Sequence, residues 1–539
     1  MQKISLVLVL LLAFGCDSGT DPEMEDPPMQ PPPGREVPVA IKANEGRQPI
    51  SRYIYGSNQD LSDNDLWTVR RIGGNRMTGY NWENDYSNAG SDWMHSSDTY
   101  MLSIFGLQAG SEPGRVMTTF HDRSLAIGAE SIITLQLAGY VSADQGGTVP
   151  ATQTAPSGRW KQVQASKGAP FAATPDLSDD MVYMDEFVQF MVDRFGSAAT
   201  DQGVRWYSMD NEPGLWSETH PRIHPEHLNA ADLVDRSIEM ALAVKAVDPD
   251  AQIVGPALYG FAAFETLQGA PDWAQEQRGQ WFIDYYLDRM REAEQQHGIR
   301  LLDVLDVHWY PEAQGDSRIT LSTALTANDV EARLQAPRTL WDGSYVENSW
   351  IGEWKQAYLP LLPTLKASIE TYYPGTELAI TEYNYGASAS VSGGLANADV
   401  LGVFGEQDVH LATLWQLEDN NTYVSSAFNL YRNYDGQLST YGDTRIAVDL
   451  ADKTEQSVYA SIHGDDASQL HIIAINKNPT ENATFTFDIA ADASFDEADV
   501  YYFNATSPLI QAQRDVAVGA NNQLTYTVPA LTAAHFVVK

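Results

Sequence analysis

The chain has 539 residues, 43% of them hydrophobic, which is enough for two to four domains around large buried cores. Its 33 Lys and Arg against 72 Asp and Glu leave a formal net charge of −39, which argues against nucleic acid as the main partner because phosphate binding needs a basic face. A neutral polymer is not repelled by such a surface, and 13 Trp with 26 Tyr supply rings suited to sugars as well as to core packing.

In chain order, Met1-Gln2-Lys3, an almost wholly apolar run over 4–14 and then Gly15-Cys16 read as a signal peptide over residues 1–16. Leu12-Ala13-Phe14-Gly15-Cys16 resembles a bacterial lipoprotein cleavage box, with Ala13 where Leu is usual. Cys16, the single cysteine, is therefore the expected lipidation site, and no intrachain disulfide can form. No later stretch reaches the ~20 apolar residues of a membrane helix, so membrane contact is expected only through that lipid. Residues 17–38 are Pro-rich and acidic and read as a semi-extended spacer.

Residues 39–442 alternate apolar runs of strand length with helical periodicity, the pattern of a parallel sheet with crossover helices. Strands are predicted at 53–58, 68–73, 132–137, 204–209, 253–257, 304–309, 378–383 and 411–416, and eight is the number that closes a β/α barrel. Met184, Phe187, Val188, Met191, Val192 and Phe195 share one helix face that stops at Gly196. The long interval 75–132 must carry loop excursions near one barrel mouth. Over 443–539 short alternating segments replace the helices, the signature of a β-sandwich that a strand near 39–42 is free to join. The expected fold is thus α/β, a (β/α)8 TIM-like barrel with a C-terminal β-sandwich domain.

Catalytic groups of such a barrel project from the C-terminal ends of its strands. Glu212 follows the fourth strand in Met209-Asp210-Asn211-Glu212-Pro213, and Glu382 ends the seventh in Thr381-Glu382-Tyr383-Asn384. Those strands face each other across the mouth, where two carboxylates can cut a glycosidic bond, one protonating the leaving oxygen while the other attacks the anomeric carbon. A lone Glu among 72 acids is more often a helix cap or an ion-pair partner, whereas a facing pair flanked by Asn and aromatic residues points to catalysis.

Several separated stretches carry a stronger signal. They are Ile72-Gly73-Gly74-Asn75-Arg76 leading into Tyr80-Asn81-Trp82-Glu83-Asn84 and Ser87-Asn88-Ala89-Gly90; Asp210-Asn211-Glu212-Pro213 with Leu215-Trp216; Gly255-Pro256; Asp306-Val307-His308-Trp309-Tyr310-Pro311; Ser349-Trp350-Ile351; Thr381-Glu382-Tyr383-Asn384; and Gly393-Gly394-Leu395-Ala396. Together they resemble glycoside hydrolase family 44, the endo-β-1,4-glucanases and xyloglucanases. The resemblance implies Glu212 as general acid/base, Glu382 as nucleophile, a retaining mechanism that requires no cofactor, a β-glucan substrate, and a sandwich packed against the barrel. A monomer is expected. Two alternatives stay open: a retaining endo-hydrolase of xylan or mannan, and a surface lipoprotein that binds glycan without cutting it.

Neighbouring side chains suggest further roles. Asn211 is a candidate for bonding the sugar 2-hydroxyl, Trp415 for stacking at the cleavage point, His308 for orienting Glu382 or a substrate hydroxyl, and Tyr310 for bonding the nucleophile. Trp82 and Trp216, in loop segments, are candidates for more distant sugar subsites, with loop pinning as the alternative. Glu83, Asp85, Asp92 and Asp98 crowd the loop after the second strand, as ligands of a structural Ca²⁺ or as a solvated acidic loop; whether any metal binds is left open. To act as an acid near neutrality Glu212 must ionise well above the ~4.3 of free Glu. Repulsion from an ionised Glu382 is the expected main cause, with desolvation adding to it.

Overall fold

The computed structural model describes residues 32–58, 65–110, 112–172 and 174–539. The signal peptide, Cys16 and most of the expected spacer lie outside the described residues. No helix of the described residues is long and apolar enough to cross a membrane.

Eight parallel strands close a barrel: β1 (Gly56–Asn58), β2 (Val69–Ile72), β3 (Glu130–Leu135), β4 (Trp206–Met209), β5 (Gln252–Leu258), β6 (Val304–Trp309), β7 (Glu377–Tyr383) and β8 (Leu411–Leu414). They follow one another around the barrel in sequence order, with β8 pairing β1. Nearly every residue of these strands is buried, because helices cover the outside while side chains fill the inside; hence the continuous apolar runs of the sequence. The helix Met184–Phe195 buries the face expected of it and ends at Gly196. Its neighbour Ala230–Val247 ends at Asp248.

Two further sheets stack on each other. One has four strands, Ala447–Leu450, Arg35–Lys42, Ala483–Ala490 and Gln523–Val528; the other has seven, including Gln456–His463, Asp466–Asn476, Thr532–Val538 and Glu497–Asn504. Between them lie Val37, Val39, Ile41, Phe485, Phe487, Ile472, Val500 and Phe536, all buried. The N-terminal strand starts at Arg35, inside the segment read as spacer. Pro38, which has no N–H, is tolerated there because pairing to Ala447–Leu450 begins only at Val39.

The helix Val391–Glu406 is buried almost all round, as a helix apolar on every side must be. Its Asp399 accepts from Tyr459 Oη at 2.7 Å and pairs with Lys477 Nζ at 3.3 Å, and both partners belong to the sandwich segments. Lys477 and Asp399 are fully shielded, so the ion pair joins sandwich to barrel in a setting where either charge alone is costly.

Candidate active site

The loop after β4 is built on two residues in the left-handed region, Asp210 (φ 59°) and Glu212 (φ 46°), which flank Asn211. Such conformations cost of order 1–3 kcal/mol and persist only when the surroundings enforce them. Here the Asp210 carboxylate accepts from Leu137 N (2.6 Å), Ala138 N (3.0 Å), Asn211 N (2.8 Å) and Thr78 Oγ1 (2.6 Å), and Glu212 N donates to Ala257 O at 3.0 Å. The turn so fixed puts Asn211 and Glu212 at the mouth.

Opposite, the β6–β7 register slips between Val307 and His308, so that His308 pairs with Glu382 and Thr381 is the extra residue. Asp306 holds that bulge by accepting from Thr381 N at 3.1 Å and Thr381 Oγ1 at 2.6 Å. Bulges of this kind re-aim the next side chain, here Glu382.

Three side chains grip the carboxylates. Arg71 Nη1 donates to Glu382 Oε1 at 2.8 Å and to Asn58 Oδ1 at 3.1 Å, while its Nη2 donates to Asn211 Oδ1 at 3.0 Å. Tyr310 Oη donates to Glu382 Oε2 at 2.9 Å. His308 Nδ1 lies 2.9 Å from Glu212 Oε1 and 3.5 Å from Glu382 Oε2. Room for Arg71 depends on Gly73, where a Cβ would fall 2.3 Å from the guanidinium carbon.

Glu212, His308 and Glu382 each present one polar atom within 4.8 Å of the others. That spacing is near the ~5–5.5 Å of retaining glycosidases and short of the ~6.5–9.5 Å that inversion needs. A cavity of about 630 Å³ lies on one side of the pair, walled by Asn75, Asp92, Trp93, Tyr100 and Trp415. A second, of about 470 Å³, continues past Tyr259, Trp309 and Trp350. Both include Glu212 and Tyr310, so the reacting point sits within a groove rather than at its end.

Glu212 is pushed up to about 7, chiefly by burial; the charge of Asp92 adds to this and Arg71 opposes it. The repulsion from Glu382 expected from sequence is not the main cause, because Arg71 stands against Glu382 and offsets its charge. Burial also holds His308 below the usual imidazole range, which keeps the ring neutral at neutral pH.

Asn211, Trp415, His308 and Tyr310 therefore meet at the two glutamates, with the nearest contact of His308 made to Glu212 rather than Glu382. Trp82 and Trp216 do not line the groove. Trp82 is buried against Phe187 and Phe190, and Trp216 is buried with Nε1 donating to Asn211 O at 2.9 Å, so both pin loops and neither ring face is open to sugar. The four loop acids are dispersed. Glu83 pairs with Lys161, Asp85 accepts from Tyr80 Oη and two backbone amides, Asp92 accepts from Asn75, and Asp98 pairs with Arg76. Arg71, Trp93 and Tyr100 join the site without having been singled out by motif, and Asn75 and Trp350 join it from the Gly-Gly-Asn-Arg and Ser-Trp-Ile stretches without having been given a role.

Residues 86–313 match the model of glycoside hydrolase family 44. The chain is 52% identical over 508 residues to endoglucanase A of Paenibacillus lautus, covering 94% of this chain and 73% of that protein. It belongs to glycoside hydrolase family 44. Among solved structures of the family, a Paenibacillus polymyxa xyloglucanase with xyloglucan matches at a TM-score of 0.92 and 49% identity, over 94% of this chain and 100% of that one. The family 44 endoglucanase of Clostridium thermocellum matches at the same TM-score and 53% identity, again over 94% and 100% of the two chains.

Proposed function

We propose that this glycoside hydrolase is a retaining endo-β-1,4-glucanase of cellulose-like glucans and xyloglucan, with Glu382 as nucleophile and Glu212 as general acid/base. The observation that carries the reading is the approach of the two carboxylates within 4.8 Å, where two cavities share Glu212 and Tyr310 in their linings. Glu382, oriented by Arg71 and Tyr310, attacks the anomeric carbon while Glu212 gives its proton to the departing oxygen. An acid that ionises near 7 is well matched to that task. When Glu382 is esterified its charge disappears and the Arg71 cation is no longer offset, so Glu212 loses its proton more readily and serves as base for the incoming water.

The test is release of reducing ends from carboxymethylcellulose and xyloglucan by the wild type, Glu212→Gln and Glu382→Gln, with xylan and mannan in parallel. Both glucans should be cut by the wild type alone, with the β-anomer formed first in NMR. Near-wild-type hydrolysis by Glu382→Gln rejects the assignment, preference for xylan or mannan redirects the substrate, and binding without new reducing ends makes the protein a glycan-capturing module. The N-terminal apolar run and Cys16 support export with lipid tethering, which mass analysis of the mature N-terminus with and without Cys16→Ser would check.

A further inference from the structure

A directional chain of hydrogen bonds leads from the reacting carboxylates to a side chain that the mechanism above does not use. Arg71 donates to Asn211 Oδ1 at 3.0 Å, Asn211 Nδ2 donates to Asn75 Oδ1 at 3.4 Å, and Asn75 Nδ2 donates to both carboxylate oxygens of Asp92, each at 3.2 Å. Each amide turns its oxygen toward Arg71 and its NH₂ toward Asp92, so a cation at one end and an anion at the other set the sense of the whole chain. Flipping either amide would set donor against donor. Asp92 makes no ion pair among the described residues, and the nearby Arg76 is taken by Asp98 at 2.9 Å.

Asp92 is exposed, yet its backbone is anchored. It belongs to the short turn Gly90–Trp93, which begins on Gly90 in the left-handed region (φ 56°). A Cβ on Gly90 would lie 2.2 Å from the Thr219 carbonyl oxygen, so only glycine lets the turn seat this closely on the segment after Trp216. The carboxylate is thereby held on the groove wall that also contains Glu212.

We propose that Asp92 is a positioning residue for the acid/base turn: through Asn75 it fixes the Asn211 amide beside Glu212. The proposal rests on the roles given above to Glu212 and Glu382. The other titratable groups around Glu212 are His308, Arg71, Glu382, Tyr310 and Tyr259, and the two cavity walls add the ion pairs Arg76–Asp98 and Arg318–Glu312, in each of which the charges offset one another. Of the charges, Arg71 draws the proton off, while Asp92 acts in the opposite sense and needs no contact to do so. Its exposure makes that influence sensitive to salt.

Two substitutions separate the two contributions. Asp92→Asn keeps an oxygen for Asn75 but removes the charge; Asp92→Ala removes both. Without the charge Glu212 ionises more easily, so the alkaline limb of kcat/KM on xyloglucan should move down by about 0.5 pH unit in either variant. The displacement should shrink between about 10 mM and about 1 M NaCl. Asp92→Ala should in addition lose about tenfold in kcat relative to Asp92→Asn, because Asn75 loses its anchor and Asn211 is then held from the Arg71 side alone. Profiles that superimpose on an active wild type at both salt concentrations overturn the charge effect, and equal kcat in the two variants overturns the positioning. A wild type that releases no reducing ends from either glucan overturns the assignment of the two glutamates, and this proposal with it. Asp92 is at the surface, so unchanged melting temperatures are expected and verify that the comparison is between folded enzymes.

Discussion

One imidazole joins the two glutamates: His308 Nδ1 is 2.9 Å from Glu212 and 3.5 Å from Glu382. Because burial keeps the ring neutral, Nδ1 is able to donate to an ionised Glu212 or accept from its acid form, following the proton as the reaction proceeds. Replacing His308 with Asn removes this partner while approximating its size. We predict that kcat on xyloglucan falls about 10²-fold with KM little changed, and that the alkaline limb of the pH profile moves. Steady-state kinetics across pH check this; a uniform rise in KM at constant kcat would contradict it.

Arg71 makes three hydrogen bonds from a fully buried position, to Glu382, Asn58 and Asn211. In Arg71→Met the carboxylate of Glu382 loses its cation and two amide oxygens lose a donor. Removing one partner of a buried pair costs about 3–5 kcal/mol, so the denaturant midpoint should drop clearly while hydrolysis falls by at least about 10²-fold. Arg71→Lys should lie nearer the Met variant than the wild type, because a single ammonium cannot reproduce the planar fork. Lys restoring full activity would mean that charge alone matters.

The barrel was legible because strands buried on both faces appear as unbroken apolar runs between turn signals, and Glu212 and Glu382 were legible because they sit at the ends of two such runs. The first strand was read too long. Ser51 accepts from Tyr53 N and starts a 3-10 turn over Arg52–Ile54, leaving only Gly56–Asn58 to pair. Arg71 was invisible for a different reason: an Arg inside a strand reads as solvent-facing, and only barrel closure turns its side chain inward toward Glu382. Sequence position alone makes Glu382 the natural source of the lift on Glu212, whereas the buried Arg71 offsets that charge and leaves burial as the main cause. Trp82 and Trp216 were misplaced because loop aromatics read as exposed, whereas these loops fold back onto the Met184–Phe195 helix and the Asp210–Glu212 turn.

Those buried tryptophans should behave unlike Trp415, which is half-buried on the groove wall. Trp216→Ala removes a packed ring and the donor to Asn211 O, and should cost about 3–5 kcal/mol of stability. Trp415→Ala should leave the unfolding midpoint almost in place and raise KM for xyloglucan about tenfold, through loss of stacking. Measuring midpoint and KM on both variants separates the roles, and a stable Trp216→Ala enzyme with a purely elevated KM would restore Trp216 as a subsite.

A final prediction concerns acid. His535, on the sandwich strand Thr532–Val538, places Nδ1 2.8 Å from Leu430 O of the barrel helix Thr422–Arg432 and Nε2 3.0 Å from His471 Nδ1. Burial pushes His535 down to about 3 and His471 well below its usual range. In the unfolded chain both rings titrate near ~6.5, so the unfolded state binds more protons as pH falls. A lowered imidazole therefore contributes stability that is full above ~6.5 and is lost progressively toward 3; for His535 the loss at pH 5 is about 2 kcal/mol. His535→Gln has no titrating ring. It should be less stable than wild type at pH 7, yet lose about 2 kcal/mol less between pH 7 and pH 5. Urea unfolding of both proteins at the two pH values gives the comparison. Parallel losses would show that the buried rings do not govern the acid lability of the contact between sandwich and barrel.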